Sequence, residues 1–120
     1  MSATILIADD EAFIVDLLAT LLEDEGFTVL RAYDGAEALA IAERERPDLI
    51  LSDVMMPRLS GIELVARLRT WEDGSSPPVI LMSAVTAPPR LPPRTIFIPK
   101  PFDLDTVLVA VAALLAPFMP

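Results

Sequence analysis

A chain of 120 residues, 53% of them hydrophobic, carries enough apolar surface for the core of one compact domain, residues 1 to 120. Its 18 acidic residues against 9 basic ones give a formal net charge of −9, the wrong sign for a protein that grips nucleic-acid phosphates with clustered Lys and Arg. Cysteine and histidine are both absent. That removes disulfides, thiolate nucleophiles, imidazole bases and most zinc sites, and it leaves carboxylates, hydroxyls and one lysine amine, Lys100, as the chemical inventory.

The amino-terminal "MSATILIADD" has no basic region and meets two aspartates within ten residues, so it does not read as a secretory leader. A cytoplasmic protein is expected. Residues 4 to 8, "TILIA", form a short apolar run rich in β-branched residues, as a strand buried on both faces would. From Ala12 to Glu25, Phe13, Leu17, Leu18, Leu21 and Leu22 recur at helical spacing, and Gly26 supplies a left-handed helix end. "FTVLRA" reads as a second strand. "YDGAEALAIAERERPD" reads as a helix with Asp34 and Glu37 placed like a capping box and Pro47 closing it. "DLILSD" is a third strand, "SGIELVARLRTWED" a third helix, "PPVILMSA" a fourth strand and "TIFI" a fifth. The closing run "VLVAVAALLAPFM" falls short of the roughly 20 apolar residues that span a bilayer, so a buried or partner-covered helix is expected there and no membrane.

Strand and helical patterns alternating at this spacing imply parallel strands joined by crossover helices, the doubly wound α/β class. Ligands of such sheets bind beyond the carboxyl ends of the strands. The first strand ends in Asp9-Asp10, the third in Asp53, the fourth in Ser83 and the fifth in Pro99-Lys100. Carboxylates gathered at one edge repel one another unless a cation neutralises them. An oxygen-only ligand set suits a hard ion, Mg²⁺ before Ca²⁺. A carboxylate nucleophile beside such an ion, with an ammonium and a hydroxyl aimed at the same point, is an apparatus for phosphoryl transfer. Taken singly, each residue has an ordinary alternative: Asp10 as a helix cap, Asp53 as a turn former, Lys100 as the leftover of an arginine-rich composition. Their coincidence at successive strand ends favours the phosphoryl site.

At these residues, in "ILIADDE", "DLILSDVMMPRLSGIEL", "PVILMSA" and "PKPF", the chain resembles the receiver domains of two-component response regulators over nearly its whole length. The resemblance implies a CheY-like, flavodoxin-like five-stranded parallel sheet in the order 2-1-3-4-5. It implies Asp53 as phospho-acceptor, Asp10 as direct Mg²⁺ ligand, Asp9 as a ligand through water and the backbone carbonyl of Met55 as a further ligand. Lys100 would pair with the phosphoryl group, Ser83 would hydrogen-bond it, and Phe97 stands at the family's aromatic switch. The phosphoryl donor would be a sensor histidine kinase or histidine phosphotransfer protein, and the chain would be no turnover enzyme beyond its own phosphorylation and slow dephosphorylation. A phosphorylation-independent pseudo-receiver is the alternative that the intact acceptor set argues against. A phosphohydrolase is disfavoured by Met55, since no second acidic residue stands two places after Asp53.

Several departures carry expectations of their own. Met55 and Val85 are apolar and cannot orient an attacking water, which implies a long-lived phosphoryl group. Phe97 lacks a tyrosine hydroxyl, so any switching rests on packing. The segment "VTAPPRLPPRT", residues 85 to 95, stands where the family has its fourth helix, yet it carries four prolines. The fourth helix is therefore expected to be shortened or absent, with residues 86 to 94 irregular or extended. Pro89, Pro92 and Arg94 also fit a polyproline-ligand pattern, which a stiff loop explains equally well. The final helix, about Leu104 to Ala116 and the family's fifth, has no charge after Asp105. An apolar face that nothing shields marks an interface, so a homodimer through this helix and the fifth strand is expected.

Overall fold

The structure, a computed structural model, describes residues 2–84 and 90–115. Its elements run β1 (Thr4–Ala8), α1 (Ala12–Asp24), β2 (Thr28–Ala32), α2 (Gly35–Glu45), β3 (Leu49–Asp53), α3 (Gly61–Leu68), β4 (Val79–Ser83), β5 (Thr95–Pro99) and α4 (Leu104–Leu114). The strands form one parallel sheet in the order β2-β1-β3-β4-β5. Because every strand points the same way, the residues that follow β1, β3, β4 and β5 collect at a single edge.

Two apolar layers cover the sheet. On one face α1 and α4 pack Val15, Leu18, Leu22, Val107 and Val111 against Ile5, Ile7, Leu51 and Ile98. On the other, α2 and α3 pack Ala38, Ala42, Leu64 and Leu68 against Leu6, Ile50 and Leu81. β3 and β4 are buried at every position, as strands covered on both faces should be. β5 is only half-buried through Thr95, Ile96 and Phe97. Among the described residues no helix lies between β4 and β5. Residues 90–94 form bends and turns; the remainder of the expected irregular segment, with Val85 and Pro89, lies outside the described residues.

The end of the shortened connection is secured by one guanidinium. Arg69, just past α3, donates to the carbonyls of Pro93 (3.0 Å), Pro77 (2.7 Å) and Arg94 (3.1 Å) and to Ser76 Oγ (3.1 Å). Five N–H donors in a planar fork allow one side chain to join three chain segments. Burial, with the neighbouring Arg94 charge, lowers the Arg69 pKa from its ordinary value.

Local chemistry sets several boundaries differently from the periodicity. Helix α1 buries Val15, Leu18, Ala19 and Leu22, whereas Phe13 and Leu17 project outward. The cap residue of α1 is Glu11 rather than Asp10, with no side-chain cap bond. Asp34 does cap α2 by accepting the Glu37 N–H, but the Glu37 carboxylate returns to the Tyr33 N–H (2.7 Å) instead of closing on Asp34. The reciprocal box forms at α3, between Ser60 and Glu63, and those hydrogen bonds from Ser60 hold the Glu63 pKa below its usual value. Helix α3 stops at Leu68, short of Asp73, because Thr70 Oγ1 bonds the Arg67 carbonyl and Asp73 turns the chain by accepting from the Ser75 N–H and hydroxyl.

Candidate functional site

Three carboxylates and one ammonium meet at the carboxyl edge of the sheet. Asp9 follows β1 and is fully buried, Asp53 ends β3 at 7% exposure, and Asp10 is exposed beside them. One oxygen from each of Asp9, Asp10 and Asp53 lies within 4.8 Å of the others. Asp9 Oδ1 accepts the Glu11 N–H at 2.9 Å, and its Oδ2 accepts from Lys100 Nζ at 2.9 Å. The same Nζ stands 3.6 Å from Asp53 Oδ1 and 4.0 Å from Glu11 Oε1. Lys100 is aimed by the sheet: its backbone N–H bonds the Ser83 carbonyl at 2.8 Å, and Ser83 pairs with Pro99 at the last rung of β4 and β5. The Lys100–Pro101 peptide bond is cis.

The electrostatics follow from this crowding. Burial, the Asp9 carboxylate and the Asp10 carboxylate raise the Asp53 pKa, against the opposing pull of Lys100 and the Val54 N–H. For Lys100 burial would favour the neutral amine, but the hydrogen bond it donates to Asp9 and the charges of Asp9, Asp53 and Glu11 outweigh it and raise the pKa. An ammonium at neutral pH is therefore secure. The donor set is made of oxygen, with three carboxylates that a cation would relieve of mutual repulsion, and so its chemistry fits a hard divalent ion.

The residues singled out from the sequence fall into two groups. Asp9, Asp10 and Asp53 converge to within 4.8 Å of one another with Lys100 beside Asp9 and Asp53, and Ser83 ends the adjoining strand with its side chain buried. Met55 sits two residues beyond Asp53 with its side chain 64% exposed. Phe97 is not part of this cluster; it lies half-buried on the α2–α3 face of β5, paired with Leu81. Sequence reasoning did not single out Glu11, the second acidic neighbour of Lys100, although the run "DDE" places a third carboxylate there.

Beside Lys100 the surface turns apolar. A groove of about 380 Å³ is lined by Ile14, Leu17, Ala84, Lys100, Phe102 and Leu104. Phe13 on the same helix is 73% exposed. A groove of similar size, about 390 Å³, opens at the opposite edge between Arg46, Arg94, Asp48 and Asp73. Its charges balance, and Arg46 is already held by Asp73 and stacked on Trp71, so that groove offers no comparable reactive cluster.

With this geometry in hand, the comparisons are specific. The family profile of response regulator receiver domains matches residues 5–112. The probable transcriptional regulatory protein TcrX of Mycobacterium tuberculosis is 35% identical over 117 residues, which are 93% of this chain and 49% of that protein. Response regulator MprA of Mycobacterium ulcerans is 37% identical over 119 residues, 96% of this chain and 51% of that protein. This chain thus spans about half the length of these curated relatives. The chemotaxis response regulator CheY4 of Vibrio cholerae superposes with a TM-score of 0.84 at 32% identity, over 95% of this chain and 99% of that one.

Proposed function

Because the chain belongs to the response regulator receiver domain family of two-component systems, we propose that it accepts a phosphoryl group on Asp53. The donor is the phosphohistidine of a partner sensor histidine kinase or histidine phosphotransfer protein. The observation that carries this reading is the position of Lys100 Nζ, 2.9 Å from Asp9 and 3.6 Å from Asp53, at the edge where three carboxylates converge.

A carboxylate oxygen of Asp53 attacks phosphorus in line with the leaving imidazole; the new P–O bond forms as the P–N bond breaks, and the imidazole keeps the bonding electron pair and takes up a proton. Asp9, Asp10, Asp53 and the Met55 carbonyl would hold Mg²⁺, which supplies charge neutralisation at the phosphoryl oxygens when bound. Lys100 supplies a compact point charge to one phosphoryl oxygen, and the Ser83 hydroxyl donates a hydrogen bond to another. The apolar groove bounded by Ile14, Leu17, Phe102 and Leu104 suits the docking face of the phosphodonor, because it places an apolar contact surface directly beside Lys100. Phe97 is the packing element of the switch, and its half-buried position leaves it room to repack. Output then proceeds through a changed protein-interaction surface in the cytoplasm, with self-association through α4 and β5.

Intact mass after incubation with acetyl phosphate and Mg²⁺ tests the proposal. A gain of one phosphoryl group in the wild type, absent from Asp53→Asn, is expected; equal labelling of the two, or none in either, rejects it.

A further inference from the structure

We infer that Ser52 is a positioning residue for Asp53, holding the acceptor's own peptide group in place; the inference rests on the reading of Asp53 as acceptor. Ser52 is fully buried on the α2–α3 face, among Ala8, Ile50 and Leu81. A hydroxyl in that setting is costly unless it is hydrogen-bonded, and an aliphatic side chain would pack there without penalty. Its proton has one close acceptor: Ser52 Oγ donates to the Asp53 carbonyl oxygen at 2.9 Å, with Met56 sulfur at 4.0 Å.

The acceptor's carbonyl has a particular need for this donor. The pairing of β3 with β1 ends at Ser52 opposite Ala8, so the Asp53 carbonyl lies past the last rung on that side. Gly61 closes over the same oxygen; a Cβ at that position would stand 2.4 Å from it. On the far side of the peptide plane the Val54 N–H bonds the Met82 carbonyl at 2.9 Å, and the Val54 carbonyl takes the Gly61 N–H at 2.9 Å. The 53–54 peptide is thus held at both ends, by Ser52 at its oxygen and by Met82 at its nitrogen. Rotation of this plane would swing the Asp53 carboxylate away from Lys100 and shift Met55, the next residue but one. An acceptor that must meet phosphorus in line tolerates little such rotation.

The isosteric pair Ser52→Thr and Ser52→Val decides the point, since both are β-branched residues suited to a strand and differ only in the hydroxyl. Phosphorylation by acetyl phosphate, measured well below both melting temperatures, is expected to slow about five- to tenfold in Ser52→Val, the equivalent of one net hydrogen bond, and to stay within about twofold of wild type in Ser52→Thr on the same reasoning. In metal-free protein the Asp53 carbonyl carbon and Val54 amide resonances should move in Ser52→Val and return in Ser52→Thr. Ser52→Ala serves as a second hydroxyl-free variant where the added methyl groups of valine disturb packing. A hydroxyl-free variant that is merely less stable, with unchanged rate and unchanged resonances, overturns the positioning role and leaves Ser52 a filled strand-end contact. Failure of the wild type to take any phosphoryl group would overturn the acceptor reading itself, and Ser52's role with it.

Discussion

Replacing Asp53 by Asn should stabilise the metal-free protein, even though it removes the acceptor. The substitution keeps shape and hydrogen-bonding capacity while deleting one charge from the cluster. At an effective dielectric of about 20, a unit-charge pair at 4.8 Å costs about 3.5 kcal/mol. Asp53 feels two such repulsions, the one from exposed Asp10 much reduced by water. Lys100 at 3.6 Å returns about 4.6 kcal/mol on the same scale. The Coulomb contributions nearly cancel, so burial of the Asp53 carboxylate tips the sum, in agreement with its raised pKa. Discounted for solvent screening, the net penalty is on the order of 1 kcal/mol, and at about 4 °C per kcal/mol the variant should melt a few degrees higher. The pH dependence has a definite sign. A carboxyl whose folded pKa lies above its unfolded value binds the proton more tightly in the fold, so its contribution is fully present below the ordinary 3.8 and is lost as pH rises through the folded value. The advantage of Asp53→Asn should therefore be largest at neutral pH and shrink steadily on acidification. Circular-dichroism melting in EDTA at constant ionic strength, from pH 8 down to pH 5, reads both effects. An Asn variant no more stable than wild type at pH 7.5, or an advantage indifferent to pH, would refute the reasoning.

Lys100→Ala strips the buried Asp9 carboxylate of its only close ammonium among the described residues and should cost about 2–4 kcal/mol in urea unfolding; any phosphorylated form should show smaller backbone shifts in β5 than wild type, and equal shifts would remove Lys100 from the coupling. Millimolar Mg²⁺ should raise the wild-type melting temperature by mass action, and Asp10→Ala should lose most of that rise; a wild-type curve indifferent to Mg²⁺ at constant ionic strength counts against the metal site. Gly35→Ala would place a Cβ 1.8 Å from the Leu59 carbonyl oxygen, forcing the loop after Asp53 off the start of α2; a loss of about 2 kcal/mol or more is expected in denaturant melts, and an unchanged midpoint contradicts that packing. Val109 on α4 is 70% exposed, so if self-association uses this face, sedimentation at tens of micromolar should show a dimer that Val109→Glu abolishes; a wild type that stays monomeric with and without phosphorylation rejects it.

The sheet was legible because its strands announce themselves twice, by continuous β-branched apolar runs and by the acid, hydroxyl or amine that ends each one. Asp9, Asp10, Asp53, Ser83 and Lys100 accordingly stand at or just past the strand ends where the spacing put them. What the sequence could not give were the distances. Nothing in the spacing says that Lys100 bonds Asp9 more closely than Asp53, since that follows from the depth of the two carboxylates below the edge. Helix α1 misled by its richness: with seven apolar residues on nearly every side, periodicity could not decide that Phe13 and Leu17 face outward. Ser52 was readable only in retrospect, as the one hydroxyl in the otherwise apolar run "LILS", and its acceptor became apparent only with the backbone in view.

Among the described residues no helix stands between β4 and β5, and the anchoring of Lys100 rests on contacts outside that connection. β5 pairs with β4 over five successive positions, from Val79 opposite Thr95 to Ser83 opposite Pro99, and Arg69 fixes the strand's entry by holding the carbonyls of Pro93 and Arg94. With its start clamped and its whole length paired, β5 delivers Lys100 to the carboxylates regardless of what lies upstream. The face left thinly covered is the other side of the same strand, where Phe97 is half-buried. Lys100 stands 3.6 Å from Asp53, leads in sequence into Pro101, Phe102 and α4, and α4 bears the exposed Val109. The short physical connection from the acidic cluster to an exposed apolar residue thus runs through the end of β5 and α4, by way of Lys100, Phe102 and Val109.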